Sequence, residues 1–434
     1  MSSTAQDTTT ADAALQNYYL PVVREQVNQR ALMLFGYSPE ELAQGFGTAN
    51  AAKGETMDYH GISRDAEKVE FAGRKWIFAA HTSRNESGTM IDEGDTIPLA
   101  GQQGWTDFED RLRYAYKQFE ITGIAIEVSE RSVGAFLRLL EAESEGTIND
   151  LRKDLNRQAY GDQTGTLAAI TADGVNTITV DSVQYLRVGM YIDLVNKTTD
   201  ALLAQNRKIT AINSSTKVVT YDGADVAATP GTHVPCVTGN WEKEINGLKK
   251  IIDSDTYTTL HNVDGSVAGN EFWNAQVYDG NATTFDEDQG QQVLDDIGEQ
   301  GQESMMIITT RGVRRRYVNT LKAQKRFNDA DSGKLHGGFK YIDFDGVPLL
   351  YDDQNPKGYM WFLRPQDFLW IWLGGNDFRW LNRDGKILRM VTGASGDKDN
   401  WRGTLYRYND LGCFNRKTQG MISNLADDAA KVIV

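Results

Sequence analysis

Chemistry needs reactive side chains brought into register, so the histidines, cysteines and clustered carboxylates of this 434-residue chain come first. The five histidines, His60, His81, His233, His261 and His336, are scattered and form no HxH or HExxH pair. Cys236 and Cys413 are the only cysteines. So far apart, they point to a reducing compartment and to neither a disulfide framework nor a thiolate metal site. "FDEDQG" at 285–290 and "YDD" at 351–353 offer adjacent carboxylates. Acids that neighbour each other in sequence read as solvated turns or helix N-terminal charges before they read as a catalytic pair. "SGKLHGG" places Lys334 after Gly333, but Asn328 stands where a phosphate loop needs its first glycine, and Leu335 follows the lysine. No GxSxG elbow occurs. The sequence shows no catalytic constellation, and neither a metal nor a cofactor is expected.

Two further clusters could bind something. Arg311, Arg314, Arg315, Arg316, Lys322, Lys325 and Arg326 could meet phosphate. On a chain of formal net charge −15 they read instead as an electrostatic contact, centred on Arg314, Arg315 and Arg316, with acidic surface of the same or a neighbouring copy. Trp361, Trp370, Trp372, Trp380 and Trp401 could stack on a ligand, but they lie in strand-like sequence and read as core or subunit interface. The acidic balance argues against nucleic-acid binding over the whole surface, yet it suits a container that does not grip its contents. Hydrophobic content of 40% with 24% charged residues is ordinary for a soluble globular protein. No run is long enough for a membrane helix. The stretch "MSSTAQDTTTADAA" lacks the regions of a secretory signal.

The elements that would carry these residues fall into a definite order. Residues 13–35 have roughly helical apolar spacing and 45–66 look loop-like, so 1–66 is expected to be an arm. "KVEFAGRKWIFAAHTS" at 68–83 and "YAYKQFEITGIAIEV" at 114–128 read as strands. The acidic, glycine-rich stretch between them is far longer than an ordinary hairpin loop. Its isolated apolar residues Met90, Ile91, Ile97, Leu99 and Trp105 suggest a projecting loop held by something outside its own domain. Val133, Leu137, Leu140, Ser144, Ile148, Leu151, Leu155 and Ala159 then recur at helical intervals, with Ser132 as N-cap and Gly161 as C′ glycine. Such a helix would run roughly 40–45 Å, with Gly146 as a place to bend. Residues 164–240 lack tryptophan and phenylalanine and read as short strands cut by turns, a small barrel or sandwich. From Trp241 the pattern is α/β, and the final third is mostly strands.

That order, with the helix ending in "LNRQAYGD", then "EINGLKKII", "FDGVPLLYD" and "GTLYRYNDLGCFNRKTQGMI", resembles the major capsid proteins of tailed bacteriophages, with the HK-97-like fold. The resemblance covers essentially the whole chain. It implies an α+β fold with an N-terminal arm (1–66), an E-loop with flanking strands (67–117), and a P-domain with a long spine helix (118–163). An inserted all-β domain (164–240), an A-domain (241–339), returning P-domain strands (340–410) and an A-domain C-terminal strand (411–434) complete it. It further implies self-assembly into hexamers and pentamers of an icosahedral virion shell, built in the host bacterial cytoplasm. Such a shell encloses double-stranded DNA without reading its sequence. A separate scaffolding protein and a portal would serve assembly, and a decoration protein on the outside is left open. Some members of the family join subunits covalently through an E-loop lysine. Residues 84–110 contain none, so no isopeptide chainmail of that type is expected. An encapsulin-like cellular compartment and, more remotely, a multidomain carbohydrate-active enzyme are the alternatives.

Overall fold

The computed structural model describes residues 69–124, 146–298, 305–324 and 343–427, apart from 89, 95, 98, 149, 152, 374–378, 383–384 and 394–395. The expected arm, the first half of the long helix with Ser132, the end of the basic run and Lys334 lie outside the described residues. The described chain is α+β.

Strands β1 (Glu70–Ala72), β2 (Lys75–Ser83) and β3 (Gly104–Arg111) form an antiparallel sheet in that order. The expected single strand over 68–83 is thus a hairpin, turned at Gly73 with φ +66°. The expected loop is also shorter, because "GWTDFEDR" is β3, and only 84–103 connect the two long strands. In β3 the period of two is carried by Phe108 alone, which is fully buried while acids flank it. That acidic composition hides a strand.

After β3 the chain enters β4 (Arg113–Thr122). Its partner is the 18-residue β21 (Gly396–Cys413), antiparallel from Asn409 opposite Arg113 to Asn400 opposite Thr122. Of the stretch expected to form a long helix, the described part is α1, which covers 146–160 and buries Ile148, Leu151, Leu155 and Ala159, the face expected from the spacing. It ends at Tyr160, but Gly161 is not in the left-handed region; its N–H bonds Gln158 O at 2.9 Å. The close approach here is made by Gly247, where a Cβ would sit 2.3 Å from Gly161 O and 2.4 Å from Gln158 O.

Strands β5 (Ile170–Gly174), β6 (Thr177–Val180), β7 (Tyr191–Asn196), β8 (Leu202–Asn213), β9 (Val218–Tyr221) and β10 (His233–Val237) form a sheet of order β10-β7-β8-β9-β6-β5. It has its own core, including Ile178, Leu186, Ile192, Leu194, Ile209 and Val219. A Thr166–Cys236 bridge and the bond from Leu167 N to Pro235 O (2.9 Å) join its entry to its exit. The unit therefore opens and closes at one point of the framework, as a parenthesis would.

The framework resumes with α2 (Leu248–Ile252), the short pair β11 (Thr259–Leu260) and β12 (Val263–Asp264), β13 (Gln276–Asp279), α3 (Glu287–Ile297), β14 (Met306–Thr309) and α4 (Arg311–Gln324). Strands β15 (Asp343–Phe344), β16 (Val347–Tyr351) and β17 (Met360–Leu363) follow, and β22 (Gly420–Ser423) comes last. They build a mixed six-stranded sheet of order β13-β22-β17-β14-β16-β15. One face carries Ile307, Phe362 and Ile422 against Val293 and Ile297 of α3 and Val313 and Tyr317 of α4. The other turns Met306, Ile308, Trp361 and Met421 into the main core. Burial on both faces explains why "SMMIITT" and "YMWFL" are almost unbroken apolar runs. The remaining strands β18 (Phe368–Trp372), β19 (Arg379–Trp380) and β20 (Leu388–Gly393) all pair with β21.

This pairing differs from the expected division at 340–410. Residues 343–363 belong to the six-stranded sheet, and only 368–413 return to the sheet of β4. The two stretches look alike in sequence because each is strand-rich and buried. Trp361, Trp370 and Trp380 are core residues, so the tryptophans make no exposed platform.

Candidate assembly surface

The β2–β3 ribbon changes character along its length. At its base Phe78 and Phe108, direct cross-strand partners, stack at 5.0 Å. Trp76 stacks on Phe78 at 5.8 Å, and Phe414 and Trp273 close the cluster at 4.6 and 4.4 Å. Beyond Phe78 the strand pair leaves the core. The outer half is held by polar cross-strand pairs: His81 with Gln103 at 2.6 Å and Thr82 with Thr106 at 3.1 Å. These bonds fix register but bury little apolar surface.

On this outer half sit the residues singled out from the sequence. Met90 is 99% exposed, Leu99 92%, Ile97 79%, Trp105 67% and Ile91 47%. The rings of Trp105 and His81 meet in a T-shaped contact at 5.2 Å. At about 25 cal/mol per Å² of apolar surface, five such side chains in water are a standing cost to a lone copy. The other expected contact residues lie elsewhere. Arg314 joins Arg311 over the ring of Tyr351, at 5.2 and 5.1 Å, and Arg315 is exposed on α4. Arg316 is half-buried on the same helix, and Arg311 pairs with Asp353 at 2.5 Å. The basic helix thus meets acid within its own chain at least once. Gly146 is an exposed residue of α1, and a Cβ there would meet nothing within 4 Å.

The base of the ribbon hides a polar cluster that the sequence does not reveal. Asn246 Nδ2 donates to Asp110 Oδ2 of β3 at 2.9 Å and to Asp410 Oδ2 of β21 at 2.8 Å. Asn246 N–H donates to Asp410 Oδ1 at 3.0 Å, and Trp76 Nε1 to Asp410 Oδ2 at 3.1 Å. His261 Nε2 accepts the Cys413 N–H at 3.2 Å, so Nδ1 carries the proton and donates to Asp110 Oδ2, also at 3.2 Å. Burial, reinforced by the charge of Asp110, pushes Asp410 up to about 7. Burial pushes His261 below its ordinary value, against the pull of Asp110. Burial would also raise Asp110, but the hydrogen bond and charge of His261 outweigh it and hold this carboxyl low. Positions 76, 110, 246, 261 and 410 share no spacing, and nothing but the fold could gather them.

Cys413, His261 and Asp110 superficially suggest a nucleophilic triad. The bonds run the wrong way: His261 takes the backbone N–H of Cys413, while the thiol points to Asn415 O at 3.3 Å. Burial raises the thiol pKa, so no thiolate is generated. Among the described residues no three His, Cys, Asp or Glu side chains are grouped to hold a metal, and no helix is long and apolar enough to cross a membrane.

No family model matches the chain, and no curated protein matches it. Solved structures do. The chain is similar to phage capsid structures. The cyanophage A-1(L) capsid asymmetric unit aligns with a TM-score of 0.48 at 11% identity, over 82% of this chain and 89% of that one. The capsid of the native GTA particle gives 0.43 at 9%, over 88% and 99%. A structure from Mycobacterium phage Bobi gives 0.44 at 9%, over 91% and 99%. At these scores the functional reading rests on the ribbon, the sheets and their exposed residues.

Proposed function

We propose that this chain is a major capsid protein of HK-97-like architecture that assembles through its ribbon. Copies would form hexamers and pentamers of an icosahedral shell around double-stranded DNA, aided by a scaffolding protein and a portal and assembled in the bacterial cytoplasm. The observation that carries the reading is the ribbon itself: an aromatic base sunk in the core, and an outer half on which Ile97, Leu99 and Trp105 are largely exposed. A second copy laid under that tip would remove them from water, and copies repeated around a ring would cover every tip. Arg314, Arg315 and Arg316 would add charge contacts between copies, and Gly146 would let the long helix flex as the shell expands.

Sedimentation and negative-stain imaging of the full chain test this. Ile97→Asp with Leu99→Asp is expected to leave the fold intact and abolish association, because each places a charge in what should become a dry contact. A wild-type chain that stays monomeric at all concentrations would sink the proposal. The shells are also expected to give no covalent ladder after boiling in SDS. The lysines nearest the loop lie on the flanking strands and are paired there, Lys75 of β2 with Glu109 at 2.5 Å and Lys117 of β4 with Asp154 at 3.0 Å.

A further inference from the structure

The acids of "YDD" lie at a turn, with Asp353 exposed, and that turn is also a junction. The chain leaves β16 at Tyr351 and runs through Asp352, Asp353, Gln354 and Asn355 before turning back into β17. Asp352 Oδ2 accepts from Asn156 Nδ2 and from Tyr160 OH, both at 3.0 Å, and both donors stand on the last turns of α1. Asp352 N–H bonds Thr309 O at 3.1 Å, at the end of β14. Asp353 pairs with Arg311 at the start of α4. Asn355 is fully buried; its Oδ1 accepts Trp361 Nε1 at 2.6 Å and its Nδ2 donates to Tyr359 O at 3.0 Å. The four residues thus tie the long helix, the six-stranded sheet and the basic helix together.

The backbone of this junction is held from a third side by the inserted unit. Gln184 Nε2 donates to Asp353 O at 2.7 Å and to Asn355 O at 2.9 Å. Tyr185 OH donates to the carbonyl between them, Gln354 O, at 2.6 Å. Three consecutive carbonyls are taken by two adjacent residues of the β6–β7 connection. Burial raises the Tyr185 phenol, which keeps it a donor at any ordinary pH. Close by, Arg157 of α1 is paired with Glu244, just past the exit of the inserted unit, and both are buried. An appendage free to swing would not spend its donors on three successive main-chain acceptors of another unit. A side-chain donor in register with each carbonyl of a loop is the mark of a seat.

We propose that the inserted β unit is a clamp in cis: through Gln184 and Tyr185 it fixes the 352–355 loop, and through that loop the setting of α1 against the six-stranded sheet. Its importance for shell geometry rests on the capsid reading, whereas the clamp itself belongs to a single chain. With the clamp released, the loop and the C-terminal turns of α1 exchange between settings, and the angle between helix and sheet is no longer unique.

Hydrogen exchange on the unassembled full-length chain tests it. In Gln184→Ala/Tyr185→Phe, amides of 352–355 and 156–160 are expected to exchange roughly tenfold faster or more, from the loss of three satisfied carbonyls, while β7 and β8 keep their protection. Lys208→Ala, on the exposed side of β8, is expected to change neither region. Unchanged exchange at 352–355 overturns the clamp. Equal loss across β7 and β8 also overturns it, since the two residues would then serve only the inserted unit; Tyr185→Phe alone provides the milder variant should the pair misfold. Imaging of the same variant, with assembled shells of mixed diameter expected, reads the second step separately. Failure of the chain to assemble at all would bear on the capsid reading and leave the exchange result standing.

Discussion

Arg416→Ala is expected to destabilise the chain by about 3–5 kcal/mol in denaturant titration, among the larger effects available to a single substitution. Arg416 is fully buried and faces carbonyls rather than a carboxylate. Its guanidinium donates to Ile251 O at 2.5 Å and Tyr257 O at 2.8 Å, with longer contacts to Lys250 O at 3.4 Å and Trp273 O at 3.5 Å. Two of these acceptors end α2, where orphan carbonyls and the negative end of the helix both favour a cation. Burial lowers the Arg416 pKa to about 10, so holding the charge there is itself costly. The two effects oppose each other, and Arg416→Met separates them. If charge burial dominated, methionine would be neutral or stabilising. If carbonyl satisfaction dominates, as the two short bonds indicate, methionine still costs roughly 2 kcal/mol or more, because it fills the space but leaves the acceptors dry. Arg416→Lys should recover only part, since one ammonium cannot reach segments as far apart as 250–257 and 273. Faster exchange at Leu248–Ile252 would show where the loss is felt.

What was readable in the sequence follows from how each signal is made. The helix over 146–160 and the all-β unit after it announced themselves by periodicity and by composition, which are local. The exposed ribbon residues were legible for a related reason: isolated apolar residues in an acidic, glycine-rich stretch have no local partners to pack on. β3 was missed because its inward face offers one residue, Phe108, among Asp107, Glu109 and Asp110. Asp110 is in fact a half-buried acid of the polar cluster at the ribbon's base, so the charge that disguised the strand is part of what anchors it. "YDD" was read as solvent-facing because neighbouring acids usually are, and its true partners lie some 40 to 200 positions away. "FDEDQG" fits the plain reading: Asp286 stands at the N-cap position of α3 without a side-chain capping bond, and Glu287 and Asp288 lie in its first turn. The division between the two large sheets was not legible at all, since strands buried on both sides look alike whichever sheet receives them.

The Asp410–His261 cluster predicts an unusual pH response, in which two single variants tilt in opposite directions. Asp410 is raised from 3.8 to about 7 on folding, so its contribution is complete below pH 3.8 and is lost as the pH rises towards 7. His261 is lowered from 6.5, so its penalty is felt in acid and disappears as the pH rises to 6.5. Where the two ranges overlap they cancel. The folded chain keeps one proton on Asp410, the unfolded chain keeps one on His261, and folding moves no net proton. Wild-type stability is therefore expected to be nearly flat just below pH 6.5 as far as this cluster decides it. His261→Asn removes one side, with a residue that tolerates the φ of +50° at this position. Its stability should fall as pH rises, by up to about 1.4 kcal/mol per pH unit. Asp410→Asn removes the other side, and its stability should rise with pH by a similar slope until His261 is neutral in the unfolded chain. Asp110 adds nothing in this window, because a carboxyl held low is ionised in both states above its ordinary range. The double variant should be flat again, at lower stability. Denaturant titrations at three pH values decide the matter, and slopes of the same sign in the two single variants would show that no proton is exchanged between these sites. A ribbon anchored through a charge-neutral exchange keeps its grip on the body across the range in which either group alone would loosen it.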